Sequence, residues 1–187
     1  MSRRQELADV AITLLASEGM RGLTHRAVDR AAELPQGSTS YYFRTRQALL
    51  RATVERLAEH TASELSTLHL RAELPTGSAD DLVEAVAELV DQWLTTSRDR
   101  QLARYELSLE ATRRPELREV LVASRARVRG VVTRLLDRAG VRDADLRADD
   151  LMAYADGLIF DCLVNHPGEA VDLRPKFRAL LATVGRD

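Results

Sequence analysis

Three features of this 187-residue chain predict an all-α fold. Apolar residues recur at intervals of three and four along nearly its whole length, the period of helices with one buried face. Glycine and proline are few, 9 and 5 residues, and they fall where helices should begin or end. Hydrophobic residues make up 45% of the chain and charged residues 30%, enough for a core and too apolar for disorder.

The elements follow in order. Leu7, Val10, Ala11, Leu14 and Leu15 form one stripe, predicting a first helix over Arg3–Ser17 that Gly19 ends as a C-terminal cap. Thr24 is a good N-cap for a second helix through Ala32. Glu33 and Leu34 make a tight connection, and Pro35 suits the first turn of a third helix, Pro35–Phe43, where its missing N–H is not needed. A fourth helix is expected from near Thr45 to Leu68 or Leu70, carrying Ala48, Leu49, Ala52, Leu57, Leu65 and Leu68. The stretch from Pro75 to Ser78 is a break, and Ser78 with Asp81 resembles a capping box. Beyond it Leu82, Val86, Leu89, Val90 and Trp93 mark a fifth helix. A sixth is expected over Arg100–Thr112, a seventh from Pro115 to a stop at Gly140, an eighth over Asp149–Val164, and a ninth over Leu173–Val184.

Charge is unevenly spread. The net charge is −2, yet between Arg21 and Arg56 seven arginines face three acids, while residues 61–187 carry 18 basic and 22 acidic residues. A basic head on an acidic body suggests that the head meets an anion. Lys176 is the one lysine, so phosphate contacts would come from planar guanidinium groups. The single cysteine, Cys162, allows no intrachain disulfide and points to a reducing cytoplasm. No secretory signal is expected ahead of the first helix, and Asp156 and Asp161 interrupt the most apolar stretch, so no membrane span is expected.

The third helix raises the functional question. It is short and polar, LPQGSTSYYF over Leu34–Phe43. Thr39 and Phe43 are four apart and share a face, which can pack on the first two helices through Leu14, Leu23, Val28 and Leu34. The opposite face presents Gln36, Gly37, Ser40 and Tyr41, with Ser38 and Tyr42 at its flanks. Glutamine binds adenine with two hydrogen bonds, serine bonds bases or phosphates, and an aromatic ring sits against a thymine methyl. Gly37 lets the helix approach a duplex closely. Arg26 lies in the first turn of the preceding helix, and Arg44, Arg46 and Arg51 follow the third. The arrangement is a helix-turn-helix with Pro35–Phe43 as the reading helix.

The run LTHRAVDRAAELPQGSTSYYFRTRQALL, Leu23–Leu50, with the preceding turn at Ser17-Glu18-Gly19, resembles the DNA-binding segment of the TetR family of bacterial transcriptional repressors. The resemblance covers about residues 3–50; beyond residue 60 it lies only in the number and order of helices. It implies a nine-helix subunit with a DNA head over 1–46 and a helical effector-binding and dimerisation body over 47–187, helix four being the connector. It implies a homodimer through the last two helices, and release of double-stranded operator DNA when a small molecule, whose identity is unknown, binds. Carried over by position, Gln36, Gly37, Ser38, Ser40 and Tyr41 face bases or nearby sugar-phosphate. Arg26, Tyr42 and Arg46 hold phosphates, with Thr24 adding a further contact. The sequence departs from the family pattern at Glu33, where glycine is frequent in the turn; at Pro35, where a serine cap is usual; and at Ser40, where an aromatic is frequent.

The body shows no catalytic constellation. His25, His60, His69 and His166 lie far apart, with His25 expected to face solvent or phosphate and His166 to end a helix. Metal-binding spacings and phosphate loops are absent, so neither a metal nor a cofactor is expected. Cys162 is expected to be a buried, inert thiol. Candidate effector-pocket residues are Trp93, Tyr105, Leu109, Met152, Asp156 and Phe160; ordinary core packing is the alternative for the apolar ones. Glu106 and Glu110 share a face and are expected to pair with Arg104, Arg113 or Arg114, an anchor for a cationic ligand being the alternative. The eighth helix is apolar nearly all round and needs two partners. Ala153, Gly157 and Leu158, with Phe177, Leu180, Leu181 and Val184 of the ninth, are the candidate dimer interface, which would place two reading helices about 34–36 Å apart. The competing reading is an α-helical enzyme or adaptor that never touches DNA.

Overall fold

The computed structural model describes the backbone of residues 1–72 and 79–184, and the side chains of 1–67 and 80–182 within it. The expected Leu68, Leu70 and His69 side chains, the break from Pro75 to Ser78 with its cap, and the side chain of Val184 lie outside the described residues. The described residues form nine helices: α1 (Arg3–Gly22), α2 (His25–Ala31), α3 (Ser38–Tyr42), α4 (Arg46–Ala72), α5 (Ala79–Leu94), α6 (Arg98–Ala111), α7 (Pro115–Arg138), α8 (Ala144–Asn165) and α9 (Arg174–Val184).

Local chemistry accounts for most boundaries. Ser2 and Gln5 form a reciprocal capping box at the start of α1. Gly19 interrupts that helix with φ 66° and ψ −170°, a conformation open to glycine. The Thr24 hydroxyl accepts from Ala27 N at 3.1 Å, and the Thr45 hydroxyl accepts from Ala48 N at 3.1 Å. Three boundaries differ clearly from expectation. The first helix continues past Gly19 to Gly22, where an end at Ser17 was expected. The third helix begins at Ser38, not Pro35, because Gly37 is left-handed at φ 98° and residues 35–37 form the turn leading in. The eighth begins at Ala144, not Asp149. Ala144 and Ala148 are buried and extend the apolar stripe backward, while Asp145 and Asp149 both bond to Arg129 of α7, at 2.7 and 2.9 Å.

The chain divides into two compact units. One comprises residues 1–60 and 99–124, so the expected boundary at 46/47 falls inside it. The reason is a shared core: Leu7, Leu15, Leu23, Val28 and Phe43 cluster with Leu49, Leu50 and Val54 of α4, Ala103 and Leu107 of α6, and Leu117 of α7. The other comprises residues 61–98 and 125 onward, where α5 packs on α8 and α9. Val83 and Val90 of α5, Ile159 of α8 and Phe177 of α9 are buried in it.

The α2–α3 turn carries local strain. Leu34 N donates to Asp29 O at 2.9 Å, closing a Schellman-type end to α2, and this leaves Glu33 at φ 54°. A side chain costs about 1–2 kcal/mol in that region, partly offset by the greater freedom of glycine in the unfolded chain. Glu33→Gly is therefore expected to raise stability by up to about 1 kcal/mol. Urea unfolding tests this; a lowered midpoint would contradict it.

Candidate nucleic-acid interface

Helix α3 has only five residues, too few to hold itself in water. Thr39 and Phe43 are fully buried and anchor its inner side among Leu14, Leu23 and Val28, as expected. The rest of its anchorage is polar. Asp29 of α2, 3% exposed, accepts from Gly37 N at 2.8 Å through one oxygen. Its other oxygen accepts from Thr39 N at 2.7 Å and from the Thr39 hydroxyl at 2.6 Å. These groups satisfy the N-terminal amides that a short helix otherwise leaves open. Burial pushes the Asp29 carboxyl upward, but the bonds from Thr39 and Gly37 outweigh it and hold the group below its usual 3.8.

The opposite end is held from two sides. Arg4 of α1 donates to Tyr42 O at 2.9 Å, its guanidinium 4.5 Å from the Phe43 ring centroid. His25 Nε2 donates to Phe43 O at 2.7 Å. His25 is thus half-buried and bonded to the chain, not turned to solvent or phosphate as expected; the Phe43 carbonyl, left open by the end of α3, captures its ring.

The outward face matches expectation in its exposure. Gln36, Gly37, Ser40, Tyr41 and Tyr42 are exposed and Ser38 is half-buried. The Tyr41 and Tyr42 rings meet edge to face at 5.1 Å. Thr24 and Arg26, at the start of α2, are exposed as well. Arg46 differs from its expected phosphate role. Its guanidinium donates to Leu23 O and Met20 O, closing the α1–α2 turn from the carbonyl side. On the amide side Met20 N donates to Glu106 of α6 at 3.3 Å. Arg51 pairs with Glu55 at 2.9 Å and Arg56 with Asp9 at 2.8 Å. Between Arg21 and Arg56 that leaves Arg21, Arg26, Arg30 and Arg44 exposed and outside the ion pairs seen among the described residues. Sequence reasoning missed Asp29 and Arg4.

The candidate body residues are distributed as follows. In the unit of residues 61–98 and 125 onward, Trp93 Nε1 donates to Glu64 at 2.8 Å, and Met152 and Asp156 are half-buried. In the other unit Tyr105 lies under the Arg104 guanidinium at 4.3 Å. Two candidates sit on outer surfaces. Leu109 is on the face of α6 away from buried Leu107 and Ala111, and Phe160, 51% exposed, is on the face of α8 away from buried Ile159 and Cys162. Among the interface candidates, Ala153 and Gly157 are exposed and Leu158 and Leu180 half-buried. Phe177 and Leu181, in contrast, are buried within the unit, Phe177 meeting Tyr154 edge to face at 6.4 Å, because the one apolar stripe of α9 packs inward. Glu110 pairs with Arg114 at 2.5 Å, and the buried Cys162 thiol is pushed upward by desolvation. His166 ends α8, donating its N–H to Cys162 O at 3.1 Å. Among the described residues no helix is long and apolar enough to cross a membrane, and no cluster of His, Cys, Asp and Glu suits a metal ion.

Comparison with known proteins places this geometry. Residues 77–187 match the family model described as the tetracyclin repressor-like C-terminal domain. The chain belongs to the TetR family. The HTH-type transcriptional regulator BetI of Escherichia coli O17:K52:H18 is 31% identical over 87 residues, 46% of this chain. That match spans only 43% of the BetI chain. Among solved TetR-like structures, multidrug binding protein EbrR complexed with imidazole is 28% identical with a TM-score of 0.71, covering 100% of this chain and 97% of that one. A TetR-family member from Streptomyces coelicolor A3 is also 28% identical, with a TM-score of 0.74 and full coverage of both chains.

Proposed function

We propose that this TetR-family chain is a homodimeric, ligand-responsive repressor that binds operator DNA through α3 and leaves it when a small organic molecule binds the body. The carrying observation is the exposure of α3 and the turn that leads into it: Gln36, Gly37, Ser40, Tyr41 and Tyr42 are exposed, as are Arg44 just after the helix and Arg26 in the first turn of α2. Such a face has hydrogen-bonding groups for base edges and guanidinium groups for phosphates. An enzyme or adaptor without DNA-binding activity leaves that combination without a use.

Within this reading Gln36, Ser40 and Tyr41 read bases. Arg26 and Arg44 hold phosphates with Tyr42 and Thr24, and Arg46 braces the α1–α2 turn. The exposed apolar stripe of α8, Ala153, Gly157, Phe160 and Val164, meets its twin in a second subunit. The effector is a moderately apolar organic molecule held near Trp93, Met152 and Asp156. EbrR was crystallised with ethidium, proflavin and malachite green, which makes such compounds first probes here. Fluorescence of Trp93, the one tryptophan, would report their binding to the DNA-free protein.

Selection of bound duplexes from a random pool tests the reading. Two related half-sites one helical turn apart are expected, with affinity falling steeply as salt rises. Arg26→Ala or Arg44→Ala should weaken binding about equally on all sequences and lower the salt slope by about 1, whereas Gln36→Ala should relax preference at one base pair. Arg46→Ala should act chiefly through a lower urea midpoint. Recovery of no enriched sequence would refute the regulator reading.

A further inference from the structure

The reading helix is held at both ends by charged side chains that do not belong to it. At its start the Asp29 carboxylate takes Gly37 N, Thr39 N and the Thr39 hydroxyl. At its finish Arg4 takes Tyr42 O. The signs suit the helix dipole, negative at the amino end and positive at the carboxyl end. The supports themselves are firm. Asp29 stands on α2 beside the fully buried Val28, and Arg4 stands in the first turn of α1, which the Ser2–Gln5 capping box closes. Between the two clamps α3 itself buries only Thr39 completely, and the fully buried Phe43 follows its last residue, so few apolar contacts within the helix fix its tilt or its translation along its own axis.

Base readout is sensitive to such displacements. A paired hydrogen bond to a base edge needs donor and acceptor near 3 Å with good angles, whereas a phosphate contact made by a long arginine tolerates an ångström of movement. A loosened α3 would therefore lose discrimination before it lost general attraction for DNA. We propose that Asp29 and Arg4 are positioning residues for base readout: together they set the register of Ser38–Tyr42 against the groove without touching the DNA. This rests on the operator-binding reading above.

The test compares the full-length chain with Asp29→Asn, Thr39→Val, Arg4→Ala and Arg4→Lys. Each is titrated on a duplex enriched from the random pool and on a scrambled duplex of equal length. Asp29→Asn keeps the shape but turns an amide N–H toward Gly37 N or Thr39 N, donor against donor. Asp29→Asn and Arg4→Ala are each expected to lower the enriched-to-scrambled affinity ratio about tenfold, with scrambled binding and its salt slope nearly unchanged. Thr39→Val, which removes one bond of three, should lower the ratio less. Arg4→Lys keeps a donor for Tyr42 O and should recover most of it. A purely structural weakening would instead lower both affinities together and leave the ratio where it was. Arg4 is exposed, so its variants carry the test even if Asp29→Asn unfolds. A wild-type preference kept in full by folded Asp29→Asn and Arg4→Ala would overturn this inference alone. Absence of any wild-type preference would overturn the operator-binding reading, and this inference with it.

Discussion

Asp29→Ala is expected to destabilise the unit of residues 1–60 and 99–124 by about 3 kcal/mol, measured by urea unfolding near neutral pH. The side chain is small and polar, so lost apolar burial contributes little. The cost comes from what remains: Gly37 N, Thr39 N and the Thr39 hydroxyl lose their acceptor, and Thr39 is fully buried. A buried donor left unmade costs about 1–3 kcal/mol, more than the net gain of an ordinary hydrogen bond. The same contacts give a pH dependence whose sign is fixed. The native carboxyl lies below its unfolded value of 3.8, so the folded state binds fewer protons than the unfolded one in that region. Its stabilisation is complete above pH 3.8 and fades as the pH falls from there through the native value. The gap between wild type and Asp29→Ala should accordingly narrow in acid. A gap independent of pH would mean that the carboxylate form is not what Gly37 and Thr39 require.

Asp29 also shows where sequence reading stopped. Aspartate between Val28 and Arg30, on a helix with Arg26, reads as part of a solvated charged face. Only its partner gives it away: Thr39 occupies the inward position four before Phe43, where an aliphatic residue would be the simple choice. A hydroxyl there is a request for an acceptor, and the two residues are interpretable only as a pair. Arg46 failed for a related reason. In a basic run after a polar helix it reads as a phosphate clamp, but its bonds to Met20 O and Leu23 O depend on the α1–α2 turn meeting the start of α4. The helices, in contrast, were legible, because period, caps and glycine stops are local signals. Thr24, Thr45 and Gly140 act where the sequence placed them. The early start of α8 was obscured by the acidic run at its head, whose Asp145 and Asp149 are organised by Arg129 some twenty residues away.

A helix that is apolar all round does not say which side faces its own subunit, and α8 is the case in point. Its inward side is now Ile159, Cys162 and Leu163, and its outward side is Ala153, Gly157, Phe160 and Val164, the last two 51% and 57% exposed. Gly157→Arg separates the two roles. A Cβ built at Gly157 meets nothing within 4 Å, so the isolated subunit accommodates a side chain there, and arginine is the better helix former. Folding of the single chain should be unharmed or slightly improved. Against a second α8 the same arginine would push a charge into an apolar seam at the one position without a side chain, and the dimer should fail. Sedimentation at micromolar concentration should then find a 20.8 kDa species where wild type gives twice that mass. Operator affinity should fall by about 100-fold or more, because two linked heads bind far more tightly than one. Half-site affinity should stay near the wild-type value, since α3 is untouched. A variant that stays dimeric would move the seam off this face of α8, and a monomer that still binds the full operator tightly would remove the need for a dimer.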